Sequence, residues 1–173
     1  MNIFILNTGR CGSTTFIRAC EHISNYTAAH ESRLPLIGEQ RLDYPDNHIE
    51  ADNRLSWYLG RLERRYGDDA FYVHLSRNAH DTARSYAKRR DFGIMKAYRE
   101  GLLLGGEEAQ TPYQLALDYV ETVEANIAHF LKNKTGKMAC RLETARDDFE
   151  LFWRTIGAQG DLERALAEWD VKH

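Results

Sequence analysis

A short apolar segment, a glycine-containing loop and an amphipathic segment open the chain, and together they constrain the fold more than any other feature. Residues 3–6 read IFIL, a continuous apolar run of the kind that forms a strand buried on both faces of a parallel sheet. The loop at residues 7–13 follows, and from residue 14 to residue 23 apolar side chains recur at helical spacing. The opening therefore predicts a strand, a loop and a helix.

The rest of the chain continues this alternation of strands and helices. Strands are predicted at residues 26–30, near His48 and Ile49, at 70–75 and at 138–142, and helices at 53–66, 76–90, 111–136, 147–156 and 162–169. The helix at 111 has a strong start, with Thr111 as N-cap, Pro112 at the first helical position and Gln114 completing a capping box. We expect one α/β domain over residues 1–173, a three-layer sandwich with a mainly parallel central sheet.

Composition excludes several classes of protein. The chain has 173 residues, 23 Lys plus Arg, 26 Asp plus Glu and a net charge of −3, so it is no polycation that binds nucleic acid or membranes by bulk charge. Its apolar runs are too short for a transmembrane helix or a signal peptide. We therefore expect a cytoplasmic protein with no nucleic-acid and no membrane partner, whose oligomeric state stays open.

Cysteine and histidine usage predicts neither disulfides nor a metal site. Cys11, Cys20 and Cys140 form no close pair, and an odd count of this kind favours a reducing compartment. The sequence contains neither a C-x-x-C pair nor an H-E-x-x-H run, so no zinc site is predicted.

The first loop carries the groups that bind a phosphate at a helix N-terminus. Gly9 and Gly12 let the backbone approach an anion closely, and Arg10 adds a planar cation. Three hydroxyl donors follow at Ser13, Thr14 and Thr15. The loop is not a Walker A motif, because no Lys precedes the hydroxyl residues, so an ordinary P-loop ATPase or kinase is disfavoured. A glycine-containing turn without a ligand is the alternative.

A second candidate region begins at the end of the strand at residues 70–75. Arg77 follows that strand, at the edge of the sheet where ligands bind in open α/β folds, and Ser85 lies two turns into the next helix. Residues 77–99 carry seven Lys plus Arg and two Asp plus Glu, a net charge of +5 against −3 for the whole chain. A solvated basic helix face is the alternative interpretation.

These two regions resemble motifs of the sulfotransferases that use 3′-phosphoadenosine 5′-phosphosulfate (PAPS), in style nearest to the bacterial and carbohydrate branches. The loop at residues 8–15 is similar to the one that holds the 5′-phosphosulfate, and Arg77 with Ser85 has the family's eight-residue spacing of an Arg and a Ser that bind the 3′-phosphate. The chain departs from the family at Arg10, where many members have Lys, and at Asn78 and Ala79, where Asp-Pro is usual. Residues that stack on the adenine stay unassigned.

The resemblance implies an activity and a set of residues. It implies transfer of a sulfuryl group from PAPS to a hydroxyl of a glycan or small molecule, with PAP as the product and no metal. Arg10 would stabilise the charge on the leaving phosphate. The nucleotide-binding residues implied are Gly9, Arg10, Cys11, Gly12, Ser13, Thr14, Thr15, Arg77 and Ser85.

A base must accept the proton of the acceptor hydroxyl. Glu31 is the first candidate, because it follows the second strand beside the loop and some relatives have a catalytic Glu in that region; an ion pair with Arg33 or Arg10 is the alternative. His30 is expected to point the other way by strand alternation. His48 is the second candidate, since other branches use a His at the end of the next strand. Residues 32–47 and 91–112 are expected to contact the acceptor, and Asn53 and Arg54 are further candidates.

Two other functions stay open at this point. One is an atypical P-loop nucleotide kinase or phosphotransferase, and the other is a non-catalytic relative that binds a nucleotide. Cys11 at a helix N-terminus is also a conceivable reactive thiol, because such a position lowers a thiol pKa, although a small packed residue is the preferred interpretation.

Overall fold

One five-stranded parallel sheet organises the protein, which is seen here in a computed structural model that describes residues 1–170. The strands are β1 (Ile3–Asn7), β2 (Thr27–His30), β3 (His48–Ala51), β4 (Phe71–Ser76) and β5 (Lys137–Arg141). All pairings are parallel and the order is β2-β3-β1-β4-β5. The predicted α/β class with a parallel sheet is confirmed. Residues 171–173 of the predicted domain lie outside the described residues.

Helices connect the strands and cover both faces of the sheet. The α-helices are α1 (Ser13–Cys20), α2 (Leu59–Tyr66), α3 (Ala79–Ala87), α4 (Gly93–Ala97), α5 (Pro112–Leu131), α6 (Ala145–Thr155) and α7 (Leu162–Ala167). Short 3₁₀ turns lie at Gly38–Leu42, Asn53–Trp57, Leu142–Thr144 and Glu168–Asp170, and a π-turn lies at Tyr98–Leu102. Within residues 1–170, no helix is both long and apolar enough to cross a bilayer.

Strand β1 shows why the molecule has three layers. All five of its residues are buried, and alternate side chains enter opposite cores. Ile3 and Ile5 pack in the core that α1, α6 and α7 cover. Phe4 and Leu6 pack in the core that α2, α3 and α5 cover. A strand apolar on both faces has to lie between two helical layers, and the predicted three-layer sandwich is therefore confirmed.

The topology opens a crevice at the carboxyl ends of β1 and β4. These strands are neighbours, yet the chain leaves β1 towards α1 on one face and leaves β4 towards α3 on the other. Adjacent strands whose connections diverge in this way leave a cleft at their carboxyl edge, which is the usual ligand site of open α/β sheets.

The structure corrects the extent of several predicted elements. The helix predicted at 53–66 is a 3₁₀ turn followed by α2, because Asp52 accepts the Arg54 backbone N–H and Tyr58 (φ −117°, ψ 17°) interrupts the helical path. The helix predicted to reach residue 90 ends at Ala87. The predicted capping box of α5 is confirmed, with Thr111 and Gln114 bonding each other's backbone.

Candidate functional site

A cavity of about 870 Å³ opens in the crevice between the β1 and β4 ends. This volume lies within the range of small-molecule sites, about 300–1,000 Å³. The first loop, the end of β2, the 3₁₀ turn after β3, and the segments after β4 and β5 all contribute to its walls. The lining residues are Gly9, Arg10, Gly12, Ser13, Thr14, Thr15, His30, Glu31, Asn53, Arg54, Arg77, Tyr86, Arg89, Phe92, Gly93, Ile94, Leu142 and Trp169.

The loop at the base of the cavity has an unusual backbone path. Gly9, Arg10 and Gly12 all have positive φ, at 82°, 60° and 92°. A Cβ at Gly9 would collide with the Tyr86 hydroxyl oxygen, and one at Gly12 would lie 2.7 Å from Leu142 Cδ1. Both positions therefore need glycine for conformation and for space. The path wraps the loop around the start of α1.

The first turn of α1 offers its backbone N–H groups to the cavity side of the loop. Gly12 is the N-cap, so no side chain caps the helix, and the first turn contains no acidic residue. The first N–H groups of a helix have no intrahelical partner, and they carry the positive end of the helix dipole. Ser13, Thr14 and Thr15, which line the cavity, add their hydroxyls at the same place. The arrangement suits an anion.

Residues from the two predicted motifs meet around Arg10; Arg10 and Arg77 line the cavity, whereas Ser85 does not. Arg10 Nε donates to Ser85 Oγ at 3.0 Å, and Arg77 Nη1 donates to the Arg10 carbonyl oxygen at 3.4 Å. Ser85 lies on α3 and Arg77 lies just after β4, so the contact joins the loop to the helix on the opposite face of the sheet. The structure thus brings together three residues that the sequence could only assign to separate motifs.

The cavity is strongly basic although the whole chain is slightly acidic. Arg10, Arg54, Arg77 and Arg89 line it together with a single carboxylate, Glu31, which leaves a net charge of +3 with His30 neutral. Within residues 1–170, only Arg54 of these four arginines has a carboxylate within 4 Å. Three guanidinium groups without a carboxylate partner at one cavity predict a multiply charged anionic ligand.

Glu31 reaches the cavity because the chain turns sharply where β2 ends. Its φ is +54°, a left-handed conformation that few non-glycine residues adopt. Glu31 Oε1 accepts from Arg54 Nη1 at 3.1 Å, and the two side chains are 30% and 32% exposed. Glu31 thus forms an ion pair, as the alternative interpretation had it, but with Arg54 and not with Arg33 or Arg10. Solvent still reaches the carboxylate, so it is accessible to a ligand.

The left-handed turn at Glu31 puts its side chain and that of His30 at the same cavity, against the prediction that His30 would point the other way. His30 Nε2 lies 3.0 Å from Ser13 Oγ, and His30 lines the same cavity as Glu31. Strand alternation holds only while the backbone stays extended, and at Glu31 it does not. Two proton-accepting groups therefore flank the loop.

His48 does not join the site, which corrects the second candidate for the base. It is the first residue of β3, and its backbone N–H donates to Asn2 at the amino end of β1. The carboxyl ends of the strands, where the cavity lies, are at the opposite edge of the sheet. His48 is buried, with Nδ1 2.7 Å from Thr27 Oγ1 and Nε2 3.0 Å from Glu50 Oε2. The residue is a structural histidine.

Cys11 is a packed residue of the loop and does not line the cavity. Burial raises the pKa of its thiol to about 12, which outweighs the opposite effect expected from the helix N-terminus. Its Sγ donates to Asn7 Oδ1 at 3.6 Å. A buried thiol that stays protonated at neutral pH does not support the reactive-thiol interpretation. Within residues 1–170, no group of three or more His, Cys, Asp or Glu side chains could hold a metal ion.

Several lining residues were not predicted from the sequence. Arg89 could have been proposed from the sequence, because it lies four residues after Ser85 on one face of the helix predicted at 76–90, although in the structure it follows the end of α3. Leu142 and Trp169 could not have been proposed in this way, since only the fold brings these two residues over Gly12. Of the two segments expected to contact the acceptor, 91–112 supplies Phe92, Gly93 and Ile94, and 32–47 supplies no lining residue.

Comparisons of the chain with protein-family models, with curated proteins and with solved structures find no match.

Proposed function

We propose that this protein transfers a sulfuryl group from PAPS to a hydroxyl of a small molecule or glycan, and releases PAP. One observation carries the proposal: the phosphate-type loop at the start of α1 and Arg77 line one basic cavity, and Arg10 of that loop contacts both Arg77 and Ser85. A nucleotide with phosphate groups on both its 3′ and 5′ sides has the charge that such a cavity would bind.

The donor would lie with its two phosphate-bearing ends on the two motifs. The loop, with the α1 N–H groups, Arg10 and the hydroxyls of Ser13, Thr14 and Thr15, would bind the phosphosulfate. Arg77 and Ser85 would bind the 3′-phosphate. Arg89, four residues after Ser85, also lines the cavity and adds a positive charge to those of Arg10 and Arg77. The adenine ring of the nucleotide could pack on the apolar surface that Leu142 and Trp169 form beside Gly12. The cavity is large enough for a ligand of this class.

The transfer breaks the bond between sulfur and the bridging phosphate oxygen, and forms a bond between sulfur and the acceptor oxygen. Negative charge grows on the leaving phosphate, where Arg10 and the loop N–H groups stabilise it. The acceptor loses its hydroxyl proton, and the Glu31 carboxylate, oriented by Arg54, takes that proton. His30, held beside Ser13, is the alternative acceptor of the proton.

A ligand panel tests the nucleotide assignment. Melting temperature and calorimetric Kd are measured with PAP, AMP, ATP and pyrophosphate. We expect PAP to bind at least tenfold more tightly than AMP, because the additional phosphate would meet Arg77 and Ser85. At about 100 times its Kd, PAP should raise Tm by roughly 5–11 °C. Stabilisation by ATP without stabilisation by PAP would favour a nucleotide kinase and reject the proposal.

Two arginine variants make the panel specific. Arg77→Ala should remove the preference for PAP over AMP. Arg84→Ala is the matched control, because Arg84 is an exposed arginine of α3 that pairs with Asp81 and does not line the cavity. PAP affinity that is equal in the Arg77→Ala variant and the wild type would overturn the 3′-phosphate assignment.

Turnover separates an enzyme from a non-catalytic nucleotide-binding protein. Sulfuryl transfer from PAPS to a panel of hydroxyl acceptors is followed by mass spectrometry. Glu31→Gln should retain PAP affinity and lose at least a hundredfold in kcat, the usual contribution of general-base catalysis. Full turnover in Glu31→Gln together with loss in His30→Gln would assign the base to His30. PAP binding without turnover on any acceptor would favour the non-catalytic alternative.

A further inference from the structure

Three side-chain donors converge on one backbone carbonyl beneath the candidate phosphate loop. The Thr8 carbonyl oxygen accepts from Tyr86 Oη at 2.6 Å and from Tyr119 Oη at 2.9 Å. Asn53 Nδ2 approaches the same oxygen at 3.4 Å. Thr8, Tyr86 and Tyr119 are all buried, at 1%, 5% and 0% exposure. A carbonyl has two lone pairs, so the two short phenol bonds saturate it.

The peptide that joins Thr8 to Gly9 is thereby held from both sides. Its carbonyl is fixed by the two tyrosines, and its N–H donates to Asn7 Oδ1 at 2.8 Å. Asn7 is itself held, because its Nδ2 donates to the Ile5 carbonyl at 2.8 Å. The plane of this peptide determines the direction in which the loop leaves β1 and the orientation of the positive-φ residues that follow.

We infer that Tyr86 and Tyr119 are positioning residues, which hold the loop in its anion-binding conformation before any ligand arrives. The inference rests on the proposed function for the identity of the nucleotide, but the preformed loop concerns any phosphate-bearing ligand of this cavity. Preorganisation of a loop strengthens binding, because the cost of ordering it is not incurred when the ligand binds.

Tyr86 also links the loop to the turn of α3 that carries Ser85. Tyr86 directly follows Ser85 on α3, and Ser85 accepts from the Nε atom of the cavity-lining Arg10. The same turn of α3 thus contacts the loop beneath, through Tyr86, and above, through Ser85. Tyr119 reaches the loop from α5, which packs along α3, with the Tyr86 and Tyr119 rings edge to face at 5.4 Å.

Both phenols remain donors throughout the pH range of an assay. Burial is the main cause that raises the pKa of Tyr119 to about 12, and it raises the pKa of Tyr86 further still. A neutral phenol has one proton to donate, and the Thr8 carbonyl can only accept, so the direction of both bonds is fixed. Replacement of either Tyr by Phe removes the bond and keeps the ring.

The experiment compares Tyr86→Phe, Tyr119→Phe and the double variant with Tyr98→Phe. Tyr98 is the matched control, because it is a buried tyrosine whose ring packs on Tyr119 at 5.4 Å, while its hydroxyl bonds Asp118 and not the loop. Two readouts are taken: amide hydrogen exchange of the peptide that covers residues 8–14 in the free protein, and Kd for pyrophosphate and for PAP.

We expect about threefold weaker pyrophosphate binding in each single loop variant, and about tenfold or more in the double variant, from the usual contribution of a hydrogen bond. Exchange of residues 8–14 should rise in the double variant and stay at the wild-type rate in Tyr98→Phe. A merely structural role would destabilise all four variants without this local difference. Wild-type exchange of the loop peptide in the double variant would overturn the inference.

The same measurements distinguish failure of the proposed function from failure of this inference. A wild-type protein that binds pyrophosphate but not PAP would reject the PAPS assignment, while the variants would still report on the loop. A wild-type protein that binds neither would reject an anion site, and loop exchange in the free protein would still decide whether the tyrosines hold the loop.

Discussion

At the scale of single residues, the candidate site is built from backbone conformations that most side chains avoid. Gly9, Arg10, Gly12 and Glu31 have positive φ, and each lines the cavity. A non-glycine residue in this region costs of order 1–3 kcal/mol, and such strain persists where the surroundings enforce it. At Arg10 and Glu31 those surroundings are bonds to Ser85 and to Arg54. Arg10 and Glu31, the two residues with this strained backbone, are the ones proposed to act on the donor and on the acceptor.

Gly9→Ala tests whether the loop needs this conformation. We expect the free energy of unfolding to fall by about 1–3 kcal/mol, because the Cβ disfavours φ of +82° and meets the Tyr86 hydroxyl. PAP affinity should fall with it. Gly60→Ala is the control, since Gly60 lies in α2 with no heavy atom within 4 Å of an added Cβ, and stability there should be unchanged or up to about 1 kcal/mol higher. Urea unfolding measures both; equal stability of the two variants would contradict the account.

At the scale of elements, the end of β2 is positioned by its neighbour β3. The Glu31 backbone N–H donates to the Ala51 carbonyl at 3.0 Å. The Glu50 carboxylate, fully buried, accepts from Ser32 N at 2.7 Å and from Ser32 Oγ at 2.6 Å, and lies 3.0 Å from His48 Nε2. These bonds fix the chain on both sides of the Glu31 Cα. His48, although remote from the cavity, belongs to the network that holds Glu31 in place.

Glu50→Ala should therefore affect both stability and turnover. Removal of the carboxylate leaves the buried His48 without this partner and takes the acceptor from both donors of the exposed Ser32, so we expect about 1–3 kcal/mol of lost unfolding free energy. In the protein that remains folded, kcat should fall while PAP affinity stays near the wild-type value, because the loop and Arg77 are untouched. Glu121→Ala, at an exposed position of α5, should change neither quantity. Loss of PAP affinity in parallel with kcat would show that the effect is general unfolding.

At the scale of the whole molecule, charge is separated between the cavity and the rest of the surface. The chain has a net charge of −3, but the cavity lining has four arginines and one carboxylate. A concave site lined by one sign of charge attracts ions of the other sign from a distance, and it excludes cations. The acidic remainder of the surface limits unspecific contact with polyanions. The cavity is thus net positive in a chain that is net negative.

The affinity for PAP should accordingly depend on ionic strength. Between 50 mM and 500 mM NaCl, we expect Kd to rise roughly tenfold, because salt screens charges that solvent reaches. The Arg89→Ala variant should bind PAP more weakly and with a smaller salt dependence, whereas Arg84→Ala should follow the wild-type curve. Isothermal titration at a series of salt concentrations measures both slopes. A wild-type affinity that is independent of salt would contradict the electrostatic account.

Local patterns alone determined much of this protein. The apolar run at the start of β1, the glycines of the loop and the capping box of α5 are contiguous in the chain, and contiguous residues specify a strand, a turn or a helix start directly. The alternation of strands and helices was enough for the α/β class and the parallel sheet. Arg10 and Arg77 could be placed at the edge of the sheet for the same reason, since each follows a strand, whereas the role predicted for Ser85 came from the resemblance.

Only the tertiary structure decided which distant groups meet. The order β2-β3-β1-β4-β5 places the β1 loop beside Arg77. The turn at Glu31 puts Glu31 and His30 at the same cavity, and His48 lies at the opposite end of its strand. Tyr86 and Tyr119 reach Thr8 from helices far along the chain. Contacts of this kind depend on strand order and on single backbone torsions, and a change of one torsion reverses where a side chain points. Local sequence preferences are too weak to fix either, whereas packing of the whole molecule does so.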